Sequence, residues 1–167
     1  MASDSTFVAN DRRMVSITRL FDAPRERVFR AWTTAESLER WYAPHGCTIQ
    51  FKKFDFRPGG SFHSCLRIPD GHECWCVGEY REIVPPQRIV LTMVIADEQG
   101  RVVSPAEIGM DPEWPSETVV TVTFAEEAGK TRLVLVQTVL ESLAKRTGAH
   151  PSWLQMLDRL ADELQSA

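Results

Sequence analysis

Apolar and polar positions alternate in some stretches of the chain and recur with a helical period in others. From Met14 to Phe21, Val15, Ile17, Leu20 and Phe21 are separated by Ser16, Thr18 and Arg19, which predicts a strand. Pro24 suits the first turn of a helix whose apolar stripe is Val28, Phe29 and Trp32. Thr34 caps a second short helix carrying Leu38, Trp41 and Tyr42, and Pro44 and Gly46 end it. Strand patterning then takes over. Cys47–Phe54 alternates and slips at Lys52-Lys53, predicting a bulge, and Pro58-Gly59-Gly60 is a turn. Ser61–Ile68 and His72–Val84 predict a hairpin, and Pro85-Pro86 turns the chain into Arg88–Ile95. A last hairpin joins Glu117–Phe124 to Thr131–Val139 through Glu126–Lys130. Ser152 with Gln155 fits a capping box, after which Trp153, Met156, Leu157, Leu160, Ala161 and Leu164 share one helix face. Asp158, Arg159, Asp162 and Glu163 lie opposite. The order predicts an α+β domain of one strand, two short helices, six strands and a long C-terminal helix. Residues 1–12 read as a flexible arm and 13–167 as a single domain.

The central hairpin has a definite register. Ile68-Pro69-Asp70-Gly71-His72 suits a three-residue loop with Pro69 and Asp70 in a type I turn and Gly71 left-handed. That pairs Leu66 with Cys74, Ser64 with Cys76 and Phe62 with Gly78. The inner face then reads Phe62, Ser64, Leu66, Cys74, Cys76, Gly78 and Tyr80, continued by Ile89, Leu91 and Met93. His63 and Cys65 fall on the other face from Cys74 and Cys76, so no four ligands converge and no metal is expected. Trp75 is left on the outer face near Val77, where it needs cover. A second copy of the chain is the favoured cover, with the 97–116 loop, carrying Val102, Val103, Met110 and Trp114, contributing at its rim.

The 167 residues carry 43% hydrophobic and 25% charged side chains, an ordinary globular composition. Lys+Arg 19 against Asp+Glu 23 leaves a net charge of −4, so no basic field attracts nucleic acid or anionic lipid. The longest apolar run, Ile89–Ala96, is far short of the ~20 residues of a membrane helix. The polar start, MASDSTFVANDRR, has no apolar signal segment, so a cytoplasmic protein with four reduced cysteines is expected. No nucleophile elbow, HExxH, Walker loop or dinucleotide fingerprint is present, so no catalytic motif and no cofactor are read.

Several stretches are familiar as a set: VFRAWTTAESLERWYAP (28–44), FRPGGSF (56–62), GEYREIVPPQRIVL (78–91), DPEWPSETVVTVTF (111–124), GKTRLVL (129–135) and the Trp153-Leu154…Leu157…Leu160 helix. In this order they resemble the bacterial single-domain proteins grouped with the activator of the heat-shock protein 90 ATPase, within the SRPBCC or START-like superfamily. The resemblance covers Met14 to Leu164. It implies a helix-grip fold, a curved antiparallel sheet of about seven strands wrapped around the long C-terminal helix. It also implies a cavity between sheet and helix that takes apolar ligands. The eukaryotic activator has an additional N-terminal domain, and residues 1–13 contain nothing like it.

The expected function is therefore binding of an apolar or amphipathic small molecule. The side chains expected to face it are Trp41, Phe62, Ser64, Cys76, Tyr80, Leu91, Met93, Leu135, Gln137, Trp153 and Leu157. The void is expected to be bounded by Tyr80, Leu91, Met93 and Leu157, and a solidly packed sheet–helix interface there would sink the binding reading. Gln137 and Tyr80 need hydrogen-bond partners that a ligand or trapped water would supply. One alternative is a pocket-only polyketide cyclase or hydratase using Tyr80 or Glu82, which the register puts on the inner face at a strand end. The other is a chaperone-interacting protein without a ligand.

Overall fold

A computed structural model describes residues 12–166; the expected N-terminal arm falls, apart from Arg12, outside the described residues. Seven antiparallel strands form one sheet: β1 (Met14–Phe21), β2 (Thr48–Phe54), β3 (Ser61–Arg67), β4 (Glu73–Val84), β5 (Arg88–Ala96), β6 (Glu117–Glu127) and β7 (Lys130–Leu140). Their order is β1-β7-β6-β5-β4-β3-β2, so β1 and β2 occupy opposite edges. The chain must cross from one edge to the other between them. It does so through α1 (Arg25–Arg30) and α2 (Ala35–Trp41), which close one end of the concave face. α3 (Glu141–Thr147) and α4 (Ala149–Ser166) follow β7, and α4 lies in the concavity. This is the α+β helix-grip arrangement. No described helix is long and apolar enough to cross a membrane.

The grip is apolar at its centre and ionic at its margins. Leu157 and Leu160 of α4 are completely buried, as are Leu133 and Leu135 of β7 and Val120 and Val122 of β6. Each such side chain contributes roughly 1.5–3 kcal/mol when removed from water. The polar face of α4 is also tied down: Asp158 pairs with Arg19 of β1 at 2.7 Å and Glu163 with Arg40 of α2 at 3.1 Å. Arg159 donates to the carbonyls of Ala43 (2.7 Å) and Arg40 (3.0 Å), and Arg27 donates to the Leu164 carbonyl at the helix end. Thr34 caps α2 by accepting from the Ser37 N–H at 3.1 Å.

The β3–β4 register is the expected one: Leu66 opposite Cys74, Ser64 opposite Cys76, Phe62 opposite Gly78. The bulge at Lys52 is present between Phe51 and Lys53. Gly78 is required by close approach, since a Cβ there would lie 2.0 Å from the Thr92 carbonyl oxygen and 2.5 Å from the Phe62 ring.

Three expectations are corrected. The last hairpin turns on Ala128-Gly129 alone, both at positive φ (51° and 80°), so its strands run to Glu127 and from Lys130 rather than ending at Phe124 and Thr131. The capping box at Ser152 does not form, because α4 begins at Ala149; the Ser152 N–H donates to the Gly148 carbonyl, and Gln155 accepts from the His45 N–H instead. α3, absent from the sequence reading, joins β7 directly and is separated from α4 by Gly148 at φ 90°.

The loop after β5 divides. Its first part, Asp97–Arg101, doubles back on the outer face of the sheet: His63 Nε2 lies 3.0 Å from the Asp97 carbonyl oxygen, and Lys52 donates to the Glu98 carbonyl at 2.9 Å. Trp75 is half-buried there, its ring tilted against His63 at 5.0 Å and overlain by the Lys52 ammonium at 5.6 Å. Part of the cover that Trp75 needs thus comes from its own chain. If a second copy covers the remainder, Trp75→Glu will convert a dimer to a monomer in light scattering. A wild type that is monomeric at high concentration leaves His63 and Lys52, themselves held by the Asp97–Arg101 turn, as the cover. In the core, Leu157→Ala should lower unfolding free energy by about 2–5 kcal/mol in urea titrations, as for a fully buried large-to-small change.

Candidate ligand-binding site

Side-chain size along the grip sets where the interior is solid and where it is open. The row of the sheet that contains Tyr80, Leu91 and Val120 carries large side chains that belong to the same buried core as Leu157 and Leu160 of α4. Only a gap of about 10 Å³ remains there, lined by Tyr80 and Leu91 with Trp32, Tyr42 and Phe62 among others. Toward the β3–β4 turn the sheet presents Ser64, Cys74 and Cys76, and the facing start of α4 presents Gly148, Ala149 and Ser152. Small residues on both walls leave a partly open cavity of about 420 Å³. That volume falls within the range of small-molecule sites.

Its floor is Phe62, Ser64 and Leu66 of β3, Cys74 and Cys76 of β4, and Met93 and Ile95 of β5. Thr118 and Gln137 form the side toward β7, Tyr42 and Ile49 stand opposite, and Trp153 and Met156 hang from α4. The second part of the long loop forms a wall. Ser104 and Glu107 make a capping box around a short 3-10 turn, Pro105–Ile108, and the chain then brings Met110 and Trp114 against the cavity. Arg146 of α3 holds this wall, pairing with Asp111 at 3.1 Å and Glu113 at 2.6 Å.

The buried polar groups are largely satisfied within the protein. Gln137, 3% exposed, donates to the Thr118 hydroxyl at 3.0 Å and accepts from the Trp153 indole N–H at 2.8 Å. The partner expected from a ligand or water is supplied by Trp153 and Thr118. Tyr42 and Tyr80 have no side-chain hydrogen bond to another described residue. Burial pushes the Tyr42 phenol well up, and the neighbouring Tyr80 phenol and Cys76 thiol add to this. Burial likewise raises Tyr80 and pushes the Cys76 thiol up to about 12.

Of the residues expected to face a ligand, Phe62, Ser64, Cys76, Met93, Gln137 and Trp153 line the cavity. Trp41, Leu135 and Leu157 do not; each is completely buried in the solid core. Trp41 instead supports the cavity from behind, donating to the Ala31 carbonyl and packing edge-on against Tyr42 at 5.2 Å. Tyr80 and Leu91 border only the small gap, so the void expected between Tyr80, Leu91, Met93 and Leu157 is corrected to one displaced toward the hairpin turn, with Met93 alone of the four on its wall. Glu82 is corrected too. A bulge between Tyr80 and Glu82 reverses the alternation and puts Glu82 opposite Val90, on the outer face, exposed and paired with Arg88 at 3.2 Å. The reading missed Tyr42, Ile49, Ile95, Thr118 and Met156, and it named Leu66 and Cys74 as inward without placing them at the site. Alternation along β3–β5 was the signal for Leu66, Cys74 and Ile95.

The raised thiol and phenols have a thermodynamic consequence. Each is held neutral by folding, so its stabilisation is complete below the unfolded pKa, roughly 8.5 for Cys and 10 for Tyr, and is lost as pH rises toward the folded value. Urea unfolding should therefore show stability falling from about pH 9 upward, with a shallower slope in the Tyr42→Phe/Cys76→Ser double variant. An unchanged midpoint between about pH 8 and about pH 10.5 would mean that these groups are solvated.

Known proteins with this architecture are numerous. A Chromobacterium violaceum protein of known crystal structure is 25% identical, with a TM-score of 0.72 over 89% of this chain and 94% of its own. A Staphylococcus epidermidis protein solved by NMR is also 25% identical, with a TM-score of 0.75 over 93% of this chain and 91% of its own. An Arthrobacter aurescens protein, 21% identical, matches with a TM-score of 0.80 over 95% of this chain and 89% of its own. No functionally curated protein matches in sequence. The family model described as activator of Hsp90 ATPase homolog 1-like protein matches residues 22–165, nearly all of the helix-grip domain. The chain belongs to the activator of Hsp90 ATPase homolog 1-like family, within the SRPBCC superfamily.

Proposed function

We propose that the protein binds an apolar small molecule in the cavity between β3–β5 and the start of α4. The observation that carries this reading is the cavity itself. About 420 Å³ opens where Ser64, Cys74 and Cys76 face Gly148, Ala149 and Ser152, whereas beside Tyr80 and Leu91 a gap of only about 10 Å³ remains. The lining is that of a small-molecule site, aromatic and thioether side chains with a few fixed polar groups. Met93, Met110 and Met156 give it an adaptable surface.

The cyclase or hydratase reading loses its carboxylate, because Glu82 stands on the other face of the sheet. Tyr80, its other candidate, borders the small gap and holds its proton firmly. The chaperone reading rests on the family's name alone.

Native mass spectrometry of freshly purified protein tests the proposal. The wild type should carry a bound small molecule, and Ser64→Phe, which fills the floor, should lose it while keeping a folded spectrum. A wild type that arrives empty and binds none of a panel of neutral apolar compounds would refute the proposal.

A further inference from the structure

We propose that this cavity discriminates by charge, accepting uncharged molecules and rejecting the same skeletons when they carry an ionised acid. The proposal rests on the binding reading above and adds what kind of ligand it takes.

Among the described residues that line the cavity there is no Asp, Glu, Lys, Arg or His. His45 and His150 flank the lining residues Pro44 and Ala149, but neither reaches the wall. The polar side chains of the lining carry hydroxyls, two thiols, one amide and the indole N–H groups of its tryptophans, none of them charged. The amide of Gln137 is engaged by Thr118 and Trp153, and the Thr147 hydroxyl donates to the Leu143 carbonyl at 2.9 Å. Burial keeps the Tyr42 phenol and the Cys76 thiol protonated, so the interior stays uncharged at neutral pH. An ionised group brought in would lose its hydration and find no counter-charge, a large penalty for any buried ion.

The arginines that adjoin the lining are already matched: beside Leu66 and Cys74, Arg67 pairs with Glu73 at 2.5 Å. The loop wall brings Asp111 and Glu113, and both hold Arg146. A carboxylate or sulfonate left at the rim would be a third negative charge around an arginine that is already matched. Neutral ligands meet neither obstacle.

Two fluorescent probes of one skeleton test this: N-phenylnaphthylamine, which is neutral, and anilinonaphthalene sulfonate, which adds an anionic group. The neutral probe should bind at least about tenfold more tightly, with Ser64→Phe removing its signal. Ser152→Arg, which places a cation on the lining, should raise sulfonate affinity several-fold and narrow the gap. Equal or tighter sulfonate binding that Ser64→Phe abolishes would overturn the charge discrimination and leave the binding reading intact. Failure of both probes to bind would overturn the two together. Probe signals indifferent to both Ser64→Phe and Ser152→Arg would place the probes outside the cavity and also refute the proposal.

Discussion

The structure depends on one helix being held by one sheet over only part of its length. Leu157, Leu160 and Leu164 fill the concavity at the C-terminal part of α4, where the sheet, α1 and α2 close around them. The flanking pairs Arg19–Asp158 and Arg40–Glu163 keep the helix in register at the margins, each contributing little alone. Toward its other end the helix is held off the floor over Ser64 and Cys76, where Trp153 donates to Gln137. Stability and cavity reside in different parts of the same helix.

The Trp153–Gln137–Thr118 chain of hydrogen bonds sits at the boundary between the two parts. It gives a buried amide two partners in an otherwise apolar interior, where losing either costs more than the bond contributes in water. It also orients Trp153, which hangs over the cavity, and so links the sheet's far strands to the site. Loop, helix and sheet supply walls that are held in different ways. The floor is built on paired strands, whereas the outer wall depends on Arg146 gripping two loop carboxylates at the surface.

How much of this was legible in the sequence follows from what periodicity can encode. Alternation and the turn residues Pro69-Asp70-Gly71 fixed which side chains of β3 and β4 face inward, and the observed register agrees residue by residue. Period alone does not say how far along the helix a given row lies, so Tyr80 and Leu157 were assigned to an opening that begins one row away. Glu82 was misplaced because the bulge before it occurs in Tyr80-Arg81-Glu82, where no glycine or proline marks the shift. α3 was invisible because it continues directly from β7 without a loop, and Pro151 obscured the start of α4, where a first-turn proline costs no hydrogen bond. Met110 and Trp114 sit in a segment without periodicity, and only the folded chain shows which side of the sheet each half of that loop takes.

The cavity floor has an implication for what family resemblance carries. The stretches that make the family recognisable supply the two short helices, the Gly78 crossing and the β6–β7 core, whereas of the floor residues all but Phe62, namely Ser64, Leu66, Cys74, Cys76, Met93 and Ile95, lie between those stretches. Substitutions on the floor reshape the volume without touching the residues that hold the helix. The shape of the cavity is therefore set largely by positions other than those that carry the family resemblance, so a likeness of backbone does not carry with it a likeness of lining.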